Sequence, residues 1–176
     1  EKYEISDAIT ALGKLLRYSM RWTSANVTVG EELEYIRNYL SLINLRFDYE
    51  IYLSENLSED IKALEIPKMT LQPIVENAIY HGIEQLAEDT SIYIKGIMED
   101  GDCIIEITDS GRGMSEEEVA NLYKKIAGEI ETSGGSGNSI GLKNVQDRIK
   151  MCFGERYGIN INSKLGCYTK IGVRIP

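Results

Sequence analysis

The sequence is short of positive charge, of histidine and of long apolar runs. Against 28 Asp and Glu it sets 19 Lys and Arg, a formal net charge of −9. Duplex binding relies on neutralising phosphates with basic side chains, so this balance argues against a nucleic-acid partner. A single nucleotide remains compatible, because a few local amides and a metal ion can manage its charge. No apolar run approaches the ~18 residues of a membrane span, and no secretory leader is visible. The 43% hydrophobic and 27% charged content is that of a soluble globular protein. The chain begins at Glu1 rather than methionine, which reads as a piece of something longer. Cys103, Cys152 and Cys167 form no C-x-x-C pair and have one histidine for company, which excludes the usual zinc ligand sets. They are expected to be reduced and mostly buried. No internal repeat is present.

What is there divides into two patterns. In the first 48 residues, Ile5, Ala8, Leu12 and Leu15 recur at helical spacing, and Leu33, Ile36, Leu40, Ile43 and Phe47 form an a/d stripe. Thr28 and Glu31 make a capping box for the second helix, leaving "SANVTVG" as the connection. Two such helices have more apolar surface than they can cover alone, so residues 1–48 are expected to belong to a longer bundle. From residue 49 to 176 the pattern turns to mixed strand and helix. "YEIYLSENL" reads as a strand, followed by a polar stretch to Pro67, and then by a helix with Leu71, Ile74, Val75, Ala78 and Ile79 on one face. "SIYIKGIM" and "CIIEITD" are strands joined by Asp100-Gly101, a hairpin signal. Ser115 and Glu118 cap a helix through about Ile126, a second helix runs near Leu142 to Phe153, and "YGININS" and "TKIGVRI" close the chain as a strand pair. The expected fold is α+β: a two-layer α/β sandwich with helices on one face, preceded by two bundle helices.

Three features bear on chemistry. Asn77, Tyr80 and His81 share one side of their helix, beside the apolar stripe. An asparagine carbonyl is a hard oxygen ligand suited to magnesium, which takes few protein groups plus phosphates and water. His81, the lone histidine, leaves several roles open: base, metal ligand, phosphate acceptor or core residue. "DSGRGM" at residues 109–114 follows an apolar strand, so Asp109 can accept a hydrogen bond from an exocyclic amine while Gly111 and Gly113 allow close backbone approach. A plain turn or a calcium loop shares this look, but the further acidic ligands of a calcium loop are missing. "GGSGNSIGLKNV" at residues 134–145 runs into a helix whose free N–H groups, expected at Ile140 to Lys143, would suit a phosphate chain. It fits neither a Walker nor a Rossmann loop and is expected to act as a mobile lid.

In this order, with about 30 residues between successive features, the chain resembles the GHKL (Bergerat) ATP-binding fold, and within it the sensor histidine kinases of the YesM/LytS type. The matches are "LLRYSM", "EELEYIRNYLSLINLRF", "IPKMTLQPIVENAIYHGIE", "DSGRGM", "IGLKNVQDRIKMCFG" and "VRIP". The resemblance implies ATP and magnesium as ligands, with Asn77 holding the metal and Asp109 taking the adenine amine. Gly111, Gly113 and Met114 would shape the base pocket. Gly137, Ile140, Gly141 and Leu142 would lie near the lid and phosphates, Thr169 beside Asp109, and Tyr80 and His81 at the phosphate edge. Three positions depart from the pattern: Ser139 and Tyr168 replace glycines, and Tyr80 stands where a lysine often reaches the phosphates.

The resemblance also implies homodimerisation through the helical region, relay to the receiver domain of a response regulator, and a cytoplasmic location in a cell-membrane sensor. The family's acceptor histidine belongs upstream of "LLRYSM", so this chain is expected to bind ATP without phosphorylating itself. A GHKL ATP hydrolase is a competing reading, but its glutamate base would fall at Pro73, and Glu76 points about 100° away from Asn77. A non-catalytic nucleotide-sensing module is another.

Overall fold

The turn at Asp100-Gly101 has φ of 53° and 85°, the left-handed pair that a two-residue hairpin needs to match strand twist. It joins β4 (Thr90–Glu99) to β5 (Asp102–Asp109), and this hairpin is the centre of the molecule. The computed structural model describes residues 9–16, 25–84, 86, 88–129 and 137–176. Around the hairpin lie β2 (Ile51–Asn56), β6 (Gly158–Lys164) and β7 (Tyr168–Ile175), in the order β2-β4-β5-β7-β6. β2 runs parallel to β4 and every other pairing is antiparallel. Alternate residues Ile92, Ile94, Cys103, Ile105, Ile107, Ile171, Val173 and Ile175 are buried on one face, while Tyr52 and Tyr93 stand exposed on the other. One sheet face is thus covered and one is open, a two-layer α/β sandwich as expected.

The helical layer is α4 (Gln72–Asn77), α5 (Glu116–Ile126) and α6 (Gly137–Phe153), with α2 (Val29–Asn44) beside α4. Both expected capping boxes form, Thr28 with Glu31 and Ser115 with Glu118, and such caps each contribute about 1 kcal/mol. The stripe Leu33, Ile36, Leu40 and Ile43 of α2 is buried in the same core as the sheet, so α2 needs no second copy to cover it. Phe47 lies beyond the helix and stacks on Tyr49 with centroids 4.6 Å apart. At the end of the helix Asn44 turns its amide onto Ile51, bonding both its N–H and its C=O. Residues 9–16 form α1, whose Ala11 is buried while Ile9, Leu12 and Leu16 are exposed. Ile5 and Ala8 lie outside the described residues.

Four local expectations change. "SANVTVG" is not only a connection: β1 (Asn26–Thr28) pairs antiparallel with β3 (Glu65–Pro67) inside the supposed polar stretch, which also holds the one-turn helix α3 (Glu59–Lys62). Three-residue pairings leave no periodicity to read. The helix after α4 widens into a π-helical turn, Ala78–Ile83, a form that recurs at functional sites. α6 is helical from Gly137 through Phe153, so Gly141, Leu142 and Lys143 lie inside a helix rather than at its expected start. Cys152 and Cys167 are exposed and only Cys103 is buried. Among the described residues no helix is long and apolar enough to cross a membrane.

Candidate functional site

Asp109 ends β5 and is 3% exposed. Its neighbours across the sheet are Ile92 on β4 and Thr169 on β7, so its place is set by strand register. The π-helical turn passes directly beside it. A Cβ on Gly82 would lie 2.5 Å from Asp109 Oδ1, and one on Gly111 would lie 2.4 Å from the Gly82 backbone. Loop and helix therefore touch backbone to backbone, which only glycine permits. The Arg112 N–H donates to the Gly82 carbonyl at 2.9 Å, and the Gly111 N–H donates to Asp109 Oδ1 at 2.9 Å. Gly113 has φ 63°, and a Cβ there would strike the Lys164 carbonyl. On that side the loop is strapped to the β6–β7 hairpin. The Gly166 N–H donates to the Arg112 carbonyl at 2.6 Å, and the Met114 N–H donates to Ser163 Oγ at 2.8 Å. Ser163 in turn donates to the Tyr168 carbonyl and contacts Thr169 Oγ1 at 3.0 Å.

Above this floor opens a cleft of about 300 Å³. Burial pushes the Asp109 carboxyl up to about 6, partly offset by N–H groups of Gly111 and Thr169 that favour the charged form. The opposite wall is α5, which presents Glu118, Asn121, Leu122 and Lys125 to the cleft. Arg112 Nη2 donates to Glu118 at 2.9 Å. The Ser115 backbone, then the Arg112 guanidinium, hold the Glu118 carboxyl below its usual range. Arg112 Nε is buried with no hydrogen-bond partner among the described residues. The cleft thus offers a sheltered acceptor at its floor, an orphaned donor at its side and cationic groups at Arg112 and Lys125. A flat polar ligand with an anionic tail suits this arrangement.

Comparison with known proteins agrees with that geometry. Residues 66–176 match the family described as histidine kinase-, DNA gyrase B-, and HSP90-like ATPase, and residues 1–51 match the histidine kinase family. The chain belongs to the histidine kinase-, DNA gyrase B- and HSP90-like ATPase family. It is 34% identical to the sensor histidine kinase YesM of Bacillus subtilis, over 100% of this chain and 28% of that protein. It is 31% identical to the sensor protein kinase HptS of Staphylococcus aureus, over 96% of this chain and 31% of that protein. The chain therefore spans under a third of the length of these relatives. In fold it is similar to the catalytic domain of the histidine kinase ThkA, with a TM-score of 0.60 at 15% identity, covering 86% of this chain and 93% of that one. A TM-score of 0.57 at 16% identity relates it to the histidine kinase domain of a blue-light activated kinase from Erythrobacter litoralis, over 98% of this chain and 74% of that one.

Within this family member, six of the residues expected from the sequence line one cleft: Asn77, His81, Asp109, Gly113, Met114 and Thr169. Gly111 lies beneath it, packed on Gly82. Tyr80 does not line it; its hydroxyl meets that of Tyr39 on α2 at 3.2 Å. Leu142 is fully buried in the core, Gly141 faces Pro73, and Ile140 is half exposed. None of these three lines the cleft; Gly137 falls within α6. Residues 134–136 of the expected lid lie outside the described residues. Tyr168 departs from glycine at no backbone cost, since its φ is not positive and its hydroxyl donates to Asn162. Glu76 accepts from Gln72 and does not line the cleft. Sequence reasoning missed Gly82, Arg112, Glu118, Asn121, Leu122 and Lys125. The last four have helical one-face spacing, a signal that could have found them.

Proposed function

We propose that this chain is the ATP-binding catalytic part of a sensor histidine kinase. The observation that carries the proposal is the buried Asp109 carboxylate at the floor of a cleft that Asn77 also lines. Asp109 accepts the adenine amine, with Thr169 beside it and Gly82 lining the same cleft. Among the described residues no three His, Cys, Asp or Glu side chains cluster, so a divalent ion here would be held by Asn77 together with phosphate oxygens. Magnesium, when bound, would neutralise charge on the phosphates during transfer. Arg112 and Lys125 supply positive charge along the α5 wall, a role Tyr80 does not take.

His81, the sequence's one histidine, lines the cleft four residues after Asn77, and we assign it to the phosphate edge rather than to the acceptor. The acceptor would be a histidine of the full-length protein outside these residues, with relay to the receiver aspartate of a response regulator. Residues 1–48 would belong to its dimerisation region and residues 49–176 to its catalytic domain, on the cytoplasmic side of a membrane sensor. Titration with an ATP analogue, with and without magnesium, tests this. Asp109→Asn should weaken binding about 10- to 100-fold, the loss of a hydrogen bond to a charged group. Unchanged affinity in that variant would refute the adenine assignment.

A further inference from the structure

Glu32 of α2 is 1% exposed. Its carboxylate oxygens accept from the backbone N–H groups of Met69 at 2.6 Å, Leu71 at 3.0 Å and Gln72 at 3.4 Å. These are the donors at the start of α4, the helix that presents Asn77. α4 has no side-chain cap of its own, and Thr70, Leu71 and Gln72 are buried. Helix-start N–H groups shut away from water need an acceptor from elsewhere, and Glu32 is that acceptor. From the other side, Arg148 of α6 donates through Nη1 to the carbonyls of Lys68 and Met69, at 2.5 and 3.0 Å. Between the two, Met69 sits at φ 64°, a conformation that persists in a non-glycine residue only where its surroundings over-determine it. About two turns further along the cleft helix, Tyr80 is tied to α2 again through Tyr39. α2 therefore grips the α4–π segment at both ends, with Asn77 between them.

We propose that Glu32 and Arg148 clamp the turn at residues 68–72 and so position Asn77, making α2 a lever on the magnesium end of the cleft. The adenine end is coupled less, because Asp109 and Thr169 are held by β5, β7 and the β6–β7 hairpin, which Glu32 does not touch, and Gly82 reaches it from beyond the Tyr39–Tyr80 tie. The lever rests on the nucleotide reading of the cleft; the clamp itself does not.

The test is Glu32→Gln in the whole 176-residue chain. The amide would turn an N–H against backbone donors, loosening the clamp without changing side-chain size. Amide hydrogen exchange at residues 71–83 should rise by about tenfold or more while β4 and β5 stay protected. The magnesium-dependent gain in affinity for a non-hydrolysable ATP analogue should fall about tenfold, and adenosine affinity should fall by clearly less. Exchange that is unchanged at residues 71–83, or raised equally throughout, would overturn the clamp. A normal magnesium-dependent gain, or equal loss of adenosine and analogue, would overturn the lever. If Glu32→Gln fails to fold, Arg148→Met probes the same turn from its carbonyl side, with the same expected pattern. A wild-type chain that binds neither adenosine nor the analogue would count against the nucleotide reading, and the exchange comparison would still decide the clamp.

Discussion

At the floor of the cleft, Gly82, Asp109 and Gly111 bring helix, strand and loop into backbone contact, and neighbouring strands fix the register of the carboxylate. The α5 wall opposite is built from longer polar side chains, with Asn121 exposed and Lys125 half-buried. The first surface has no slack, since an atom added at Gly111 strikes main chain and one added at Gly82 strikes the Asp109 carboxylate. The second can shift by rotamer changes at little cost. The difference suits the proposed ligand. A rigid base needs a rigid acceptor, whereas a phosphate chain can be met by mobile charges.

Three substitutions would break or sharpen this contrast. The largest effect is expected from Gly111→Ala, whose methyl would meet the Gly82 backbone at 2.4 Å. Overpacking against main chain has no side chain to yield, so a loss of roughly 3 kcal/mol is expected, read as a lower urea midpoint at constant slope. A stable, tight-binding Gly111→Ala chain would show that the floor has slack after all.

Asp109 comes next. Its ordinary carboxyl value is 3.8, and burial raises it to about 6 in the fold. Between those values the folded chain holds the proton and the unfolded chain does not. Stability from this group is thus fully present below 3.8 and is lost as pH rises through about 6. The whole shift is worth roughly 3 kcal/mol at most. Urea midpoints of wild type and Asp109→Asn, compared from acid to neutral pH, should drift apart in wild type's disfavour by up to that amount. A gap independent of pH would contradict the burial argument. Adenine binding has the opposite sense and should strengthen over the same range as the carboxylate ionises.

The smallest effect belongs to Lys125→Ala. Solvent screens this ammonium, so triphosphate affinity should fall only about two- to fivefold, and less at high salt, with adenosine unaffected. A loss as large as that of Asp109→Asn would make the α5 wall as exacting as the floor.

Much of the fold was legible because its signals are local. The Asp100-Gly101 turn, the two capping boxes, and the alternation in β4 to β7 each involve residues within a few positions of one another. The floor was legible for the same reason, since Asp109, Gly111 and Gly113 follow one strand. Leu142 and Gly141 are less legible, because the glycine-rich pattern of residues 134–145 does not show that these two positions are helical and turn to the core and to Pro73. Tyr80 was placed by regular helical geometry, whereas the chain there is π-helical and the hydroxyl meets Tyr39.

By itself the sequence determined the longer elements, the face each apolar stripe presents, and the identity of the aspartate and asparagine that face one cleft. Tertiary structure alone decided the rest: Gly82 against Gly111, Ser163 bridging Met114 to Thr169, α5 as the second wall, and Glu32 at the start of α4. Each of these joins groups on different elements, many residues apart. Their partners are chosen by strand register and by the demand that buried backbone donors be satisfied, and neither leaves a periodic mark in the chain.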